Sequence, residues 1–178
     1  MLQNYNKLKV INVFFEDPSQ DAQFQLREIS RKIKLAPISV KRYLDELTKE
    51  ELIIKSKHRV LKYPIYSANR DNEKFLFFKK IQNIISIKES GLIDYLANEC
   101  MPDAIILFGS ASRGEDIGGS DIDVFLLCKE AKLDLEKFDN KLKRKINLFF
   151  SKDFNELSPE LKNNILNGII LKGYLKVF

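Results

Sequence analysis

Residues 107–127, LFGSASRGEDIGGSDIDVFLL, set two carboxylates, Asp121 and Asp123, one residue apart at the mouth of an apolar strand. The runs on either side, AIILF at 104–108 and VFLLC at 124–128, are continuous enough to be strands buried on both faces. Between them the chain breaks at Gly109-Ser110 and passes through ASRGEDIGG, a composition suited to a short helix or turn. Side chains alternate along a strand, so Asp121 and Asp123 project from one face with Cα atoms about 6.5 Å apart, while Ile122 turns into the core. Carboxylates that close repel, and holding both ionised beside an apolar strand is costly unless cations neutralise them.

A divalent metal meets that need. Oxygen-only ligands select a hard ion, Mg2+ or Mn2+, and two such ions about 3.5 to 4 Å apart serve phosphoryl and nucleotidyl transfer. Gly109 supplies the backbone freedom for close approach of a phosphate, and Ser110 adds a hydroxyl donor. Gly109-Ser110, nine residues, then Ser120-Asp121-Ile122-Asp123, with Arg113-Gly114 between, resembles the G-S…D-x-D signature of the DNA polymerase β-like nucleotidyltransferase superfamily. Within it the minimal nucleotidyltransferases are the nearest subset, and the resemblance covers residues 101–150, extending loosely to 178.

The resemblance implies an α/β (α+β) domain with a mixed sheet and flanking helices. Gly109 and Ser110, grouped with Arg113 and Ser120, would hold the phosphates of a nucleoside triphosphate. Asp121 and Asp123 would be the catalytic, metal-binding carboxylates. A third carboxylate on a later strand would bind the metal that activates the attacking hydroxyl. That strand is KINLFF at 145–150, where alternation makes Ile146 and Leu148 core residues and presents Asn147 at the third-carboxylate position. An amide is neutral and a weaker metal ligand, which separates nucleotide binding from turnover. The basic run KLKRK at 141–145 reads as a solvated helix end, with phosphate neutralisation the alternative.

The net charge of +5 is concentrated at the other end of the chain. Residues 1–70 hold 14 Lys/Arg against 8 Asp/Glu, while residues 101–178 hold 12 of each. That is the footprint of a segment that meets a polyanion. Apolar positions predict helices over 5–15, over 26–33 after an extended start at Phe24, and over 37–48, where Pro37 suits a first turn and Val40, Leu44 and Leu47 form a stripe. Strands follow at 53–56 and 63–67 around the basic tip Lys57, His58, Arg59 and Lys62. Three helices and a basic hairpin resemble a winged helix-turn-helix domain. The resemblance implies that the helix at 37–48 enters the major groove of double-stranded DNA, with Ser39, Lys41 and Arg42 toward bases and backbone. Lys57, Arg59 and Lys62 on the wing would meet phosphates or the minor groove. Winged helices also dock proteins. His58, the one histidine, reads as a surface residue without chemistry.

The expected organisation is a winged helix-turn-helix domain at 1–70, a helical connector at 71–100 punctuated by Gly91, and a nucleotidyltransferase-like domain at 101–178. A hydrophobic share of 44% suits a soluble globular chain. Two cysteines and one histidine suggest neither a zinc site nor a disulfide framework, and both cysteines read as small buried hydrophobes. No run is long enough for a membrane helix and no signal peptide is evident, so a cytoplasmic location without membrane contact is expected. Three functions are weighed: Mg2+-dependent transfer of a nucleoside monophosphate to a hydroxyl, a catalytically degenerate nucleotide-sensing regulator, and an antitoxin that binds a toxin-like partner protein. The apolar connector also offers a surface for a homodimer.

Overall fold

The structure is a computed structural model, and it describes residues 4–19 and 21–176. It is a mixed α+β protein whose chain divides into two compact units, residues 1–76 and 77–178.

The first unit opens with helix α1, Tyr5–Glu16, whose N-cap Asn4 accepts a hydrogen bond from the Lys7 backbone N–H. Phe24 comes next as a single extended residue, paired to Tyr66 by two backbone hydrogen bonds of 2.8 and 2.9 Å. Helix α2, Leu26–Ile33, starts at a capping box in which the Glu28 side chain accepts from the Gln25 backbone N–H. Pro37 sits at the start of α3, Pro37–Lys49, where its missing N–H has no helical partner to lose. The hairpin β1, Ile53–Lys57, and β2, Pro64–Ala68, then pairs antiparallel from Ile53↔Ala68 to Lys57↔Pro64. Val10, Ile11, Phe14, Ile29, Val40, Leu44, Leu47, Ile65 and Tyr66 are buried, so the stripes read from the sequence do form the core. Each such side chain contributes about 1.5–3 kcal/mol on burial. Lys7 is also buried and bridges α1 to Glu46 and Glu50 on α3. Burial pulls its pKa down, but the hydrogen bonds and charges of Glu50 and Glu46 outweigh that and raise it above 10.5.

The second unit takes in α4, Glu73–Ser90, from residue 77 onward; with α5, Leu92–Cys100, it leads into a four-stranded sheet of order β5-β4-β3-β6. Its strands are β3, Ala104–Phe108, β4, Ile122–Leu127, β5, Ile146–Ser151, and β6, Ile169–Gly173. β3 is antiparallel to β4 and β6, whereas β4 and β5 run parallel. The parallel pair requires a crossover, made through α7, Glu136–Leu142. All five residues of β3 are buried, as its unbroken apolar run demands. On one face of the sheet Ile105, Leu107, Val124 and Ile146 pack with Ile87, Leu92, Ile93 and Leu96 of α4 and α5 and with Phe138 of α7. The apolar stripe of residues 77–100 therefore helps to build this unit's core. On the opposite face Ala104, Ile106, Phe108 and Phe125 pack with Phe154 and with Ile165 of α8, Pro159–Leu166.

Strand β6 ends on Gly173. Its partner β3 begins at Ala104, which pairs with Gly173, so no residues of β3 remain to extend the ladder. The two cysteines are half-buried free thiols that lie side by side, at the end of α5 and just past β4. Burial, reinforced by the neighbouring Cys100, pushes the Cys128 thiol up to about 11.

Candidate functional site

Asp121 stands exposed just ahead of β4, and Asp123 is half-buried within it. Asp123 faces Phe108 across the antiparallel pair and Asn147 across the parallel one. Ile122 between them is 2% exposed, so the two carboxylates do share the other face. Asn147 Nδ2 donates to Asp121 Oδ2 at 3.0 Å and to Asp123 Oδ1 at 3.1 Å. One NH2 group thus uses both of its hydrogens on the two acids, which tempers their repulsion with dipoles without adding charge.

Gly109 opens the short helix α6, Gly109–Arg113, with φ of +71°. A Cβ there would lie 2.6 Å from Asp123 Oδ2, so this residue must be glycine both for its backbone and for the carboxylate's room. Ser110 is half-buried beside it; its carbonyl accepts from Glu115 N, and no hydrogen bond among the described residues engages its hydroxyl. Arg113 is exposed and pairs with Glu115 at 2.6 Å. Ser120 closes the turn before β4, its Oγ accepting from Ile117 N at 3.0 Å. Gly109, Asp121, Asp123 and Asn147 are therefore brought together, while Arg113 and Ser120 are engaged locally.

Beneath this constellation lies a cluster that the sequence reading missed. Asp116, 2% exposed, accepts from Lys79 Nζ at 2.8 Å, from Asn83 Nδ2 at 2.8 Å and from Arg144 Nη1 at 2.9 Å. Arg144 also donates through Nε to Ser120 O at 2.6 Å and through Nη2 to Asp121 O at 2.8 Å. Lys141, in the same basic run, donates to Glu89 O and Ser90 O at the end of α4. The run at 141–145 is thus more than a solvated helix end: two of its side chains bind carbonyls of distant segments. No local signal marks it, because Lys79 and Asn83 sit in α4 beside other polar residues such as Lys80 and Gln82.

In the first unit the outer face of α3 carries a shallow hollow of about 420 Å³ lined by Ile38, Lys41, Arg42, Asp45, Glu46 and Lys49. Lys41 and Arg42 are exposed and Ser39 is half-buried. Arg42 donates to Tyr43 Oη at 2.8 Å and lies over that ring. Lys57, Arg59 and Lys62 are exposed on the hairpin. Its tip is held by His58, whose Nδ1 accepts from Leu61 N at 3.2 Å and whose ring stacks on Tyr63. Val60 and Leu61 project from it, 72% and 67% exposed.

Residues 90–175 match the sequence model of the family described as Polymerase beta, Nucleotidyltransferase, and this stretch contains the whole of the Asp121–Asp123–Asn147 constellation. The second unit therefore carries a nucleotidyltransferase-like domain. No curated protein matches the chain. Among solved structures, similarity is found to a point mutant of Lactococcus lactis ZitR at 21% identity and a TM-score of 0.40, covering 51% of this chain and 60% of that one. A structure of a possible transcriptional regulator from Methanosarcina mazei Go1 is similar at 20% identity and a TM-score of 0.37, covering 54% of this chain and 78% of that one. No helix among the described residues is long and apolar enough to cross a membrane.

Proposed function

We propose that this chain is a DNA-binding regulator whose nucleotidyltransferase-like domain binds a nucleoside triphosphate together with one Mg2+ or Mn2+ and does not turn it over. The observation that carries this reading is the amide of Asn147 set between Asp121 and Asp123. Two hard oxygens converge on one point there, and Mg2+ is commonly held by one or two carboxylates completed by substrate phosphates. Asp121 and Asp123 would hold the cation in place of the Asn147 NH2 that they now bind, and a flip of that amide would turn Asn147 Oδ1 toward the ion as a neutral third donor. Bound there, the cation supplies charge neutralisation for the triphosphate. Among the described residues no group of three or more His, Cys, Asp or Glu side chains is arranged to hold a metal. A second, nucleophile-activating ion thus lacks an anionic ligand set. Gly109 keeps the floor of the site open beside Asp123, and Ser110 offers a hydroxyl to phosphate oxygens.

The DNA-binding part of the proposal rests on the basic excess of residues 1–70 and on Lys41, Arg42, Lys57, Arg59 and Lys62, exposed on one helix and the hairpin that follows it. Calorimetric titration with MgATP and MgGTP should give binding that Asp121→Asn/Asp123→Asn weakens at least tenfold; equal affinities would overturn the nucleotide reading. Labelled nucleotide incubated with wild-type protein and cell extract should leave no labelled product, whereas a labelled acceptor would restore the transferase reading. On a DNA duplex, the log–log salt slope should become shallower by about 0.9 for each phosphate contact removed in Lys41→Ala/Arg42→Ala. A salt-independent affinity would refute phosphate contact by these basic side chains, and no affinity for the duplex would refute DNA binding.

A further inference from the structure

We infer that Arg144, anchored by the buried Asp116, is a positioning residue for the carboxylate pair. This inference rests on the proposal that Asp121 and Asp123 hold a cation and a nucleotide. Asp121 lies outside the β4 ladder on an exposed turn, and the only hydrogen bond its backbone carbonyl receives among the described residues is from Arg144 Nη2, at 2.8 Å. The same guanidinium grips Ser120 O at 2.6 Å, so one planar fork holds the two peptide carbonyls that deliver the chain to the first carboxylate. The next amide, Ile122 N, donates to Lys145 O at 2.8 Å, which ties strand entry to the residue after Arg144.

What orients the fork is Asp116. A carboxylate 2% exposed is tolerable only when paired, and Asp116 has Lys79, itself almost fully buried, and Arg144 as its cations. Asn83, which donates to Asp116, also donates to Ala111 O at 2.9 Å in α6, the helix that Gly109 and Ser110 begin. One buried acid therefore joins three supports: α4, the phosphate-side helix α6, and the turn that carries Asp121. Lysine in place of Arg144 would keep the charge but could not span three acceptors in a plane.

The test compares Arg144→Gln and Arg144→Lys with wild-type protein by two readouts. The first is the affinity for MnATP, expected to fall about 10- to 100-fold in both variants, as is usual when a partner that orients a metal ligand is lost. Failure of lysine to restore it separates positioning from charge. The second needs no ligand: the two side-chain amide protons of Asn147, observed by 15N NMR. The proton donated to Asp121 should lose its protection in both variants while the one donated to Asp123 keeps it. If wild-type protein binds no MnATP, the nucleotide reading falls and the amide protons alone decide the role of Arg144. Wild-type affinity with both amide protons unmoved, in either folded variant, overturns the inference. Should Arg144→Gln fail to fold, the milder Arg144→Lys decides it by the same two measurements.

Discussion

Replacing Gly109 by alanine tests the carboxylate site through a single methyl group. Two costs are separable. The first is conformational: at φ of +71° an L-residue is strained, by about 1–2 kcal/mol. For a unit of this size that lowers Tm by roughly 5 to 15 °C. The second is steric: the new Cβ would stand 2.6 Å from Asp123 Oδ2, closer than the 3.0 Å that real Cβ contacts respect. Asp123 is short and half-buried, so its carboxylate must rotate, and its bond from Asn147 Nδ2 is lost at about 1 kcal/mol more. Gly91, between α4 and α5, is the matched control: its φ is +85°, and a Cβ there meets nothing within 4 Å. Gly91→Ala should therefore show the first cost alone and bind MgATP as wild type does. Gly109→Ala should be the less stable in urea denaturation and should bind MgATP at least tenfold more weakly. Equal stability losses with wild-type affinity in Gly109→Ala would refute the claim that this glycine exists to make room for Asp123.

Asn147→Asp replaces two hydrogen bonds with a third negative charge, so the variant should lose about 1–3 kcal/mol in metal-free buffer and recover more Tm on adding Mn2+ than wild type does; equal Mn2+-induced gains would count against a cation site. The pKa of Lys7 is raised in the folded state, so its contribution is complete below the ordinary value of 10.5 and is lost as pH rises through the folded value. Urea denaturation should show wild-type stability converging on that of Lys7→Met only above pH 10.5, and a constant gap across that range would contradict the bridge to Glu46 and Glu50. With its thiol near 11 against an ordinary 9.0, Cys128 should react with iodoacetamide at pH 8 roughly a hundredfold more slowly than in the urea-unfolded chain, as judged by mass spectrometry; equal rates would show that the thiol is not shielded.

Much of this architecture is legible in local pattern. The stripe Val40, Leu44, Leu47 names the buried face of α3, and the unbroken run 104–108 names a strand covered on both sides. Alternation in 121–123 puts both aspartates on one face because the strand repeat is two residues, whatever the neighbours are. The same alternation marks Asn147 as the outward residue of its strand. These features follow from periodicity, which each segment carries within itself.

Partner choice is a different quantity. Asn147 meets Asp121 and Asp123 only because β5 crosses over to lie parallel to β4 in a register that sets it opposite Asp123, 24 residues away in the chain. Lys79 reaches Asp116 across 37 residues and Arg144 reaches it across 28, and nothing local distinguishes these three from the solvated charges around them. The sequence by itself determined which faces are apolar and that two acids share one. The tertiary structure decided which donors those acids receive and which basic side chain holds their turn. A buried charge takes its partner from whatever the packed core brings within about 3 Å, and long-range packing alone selects that neighbour.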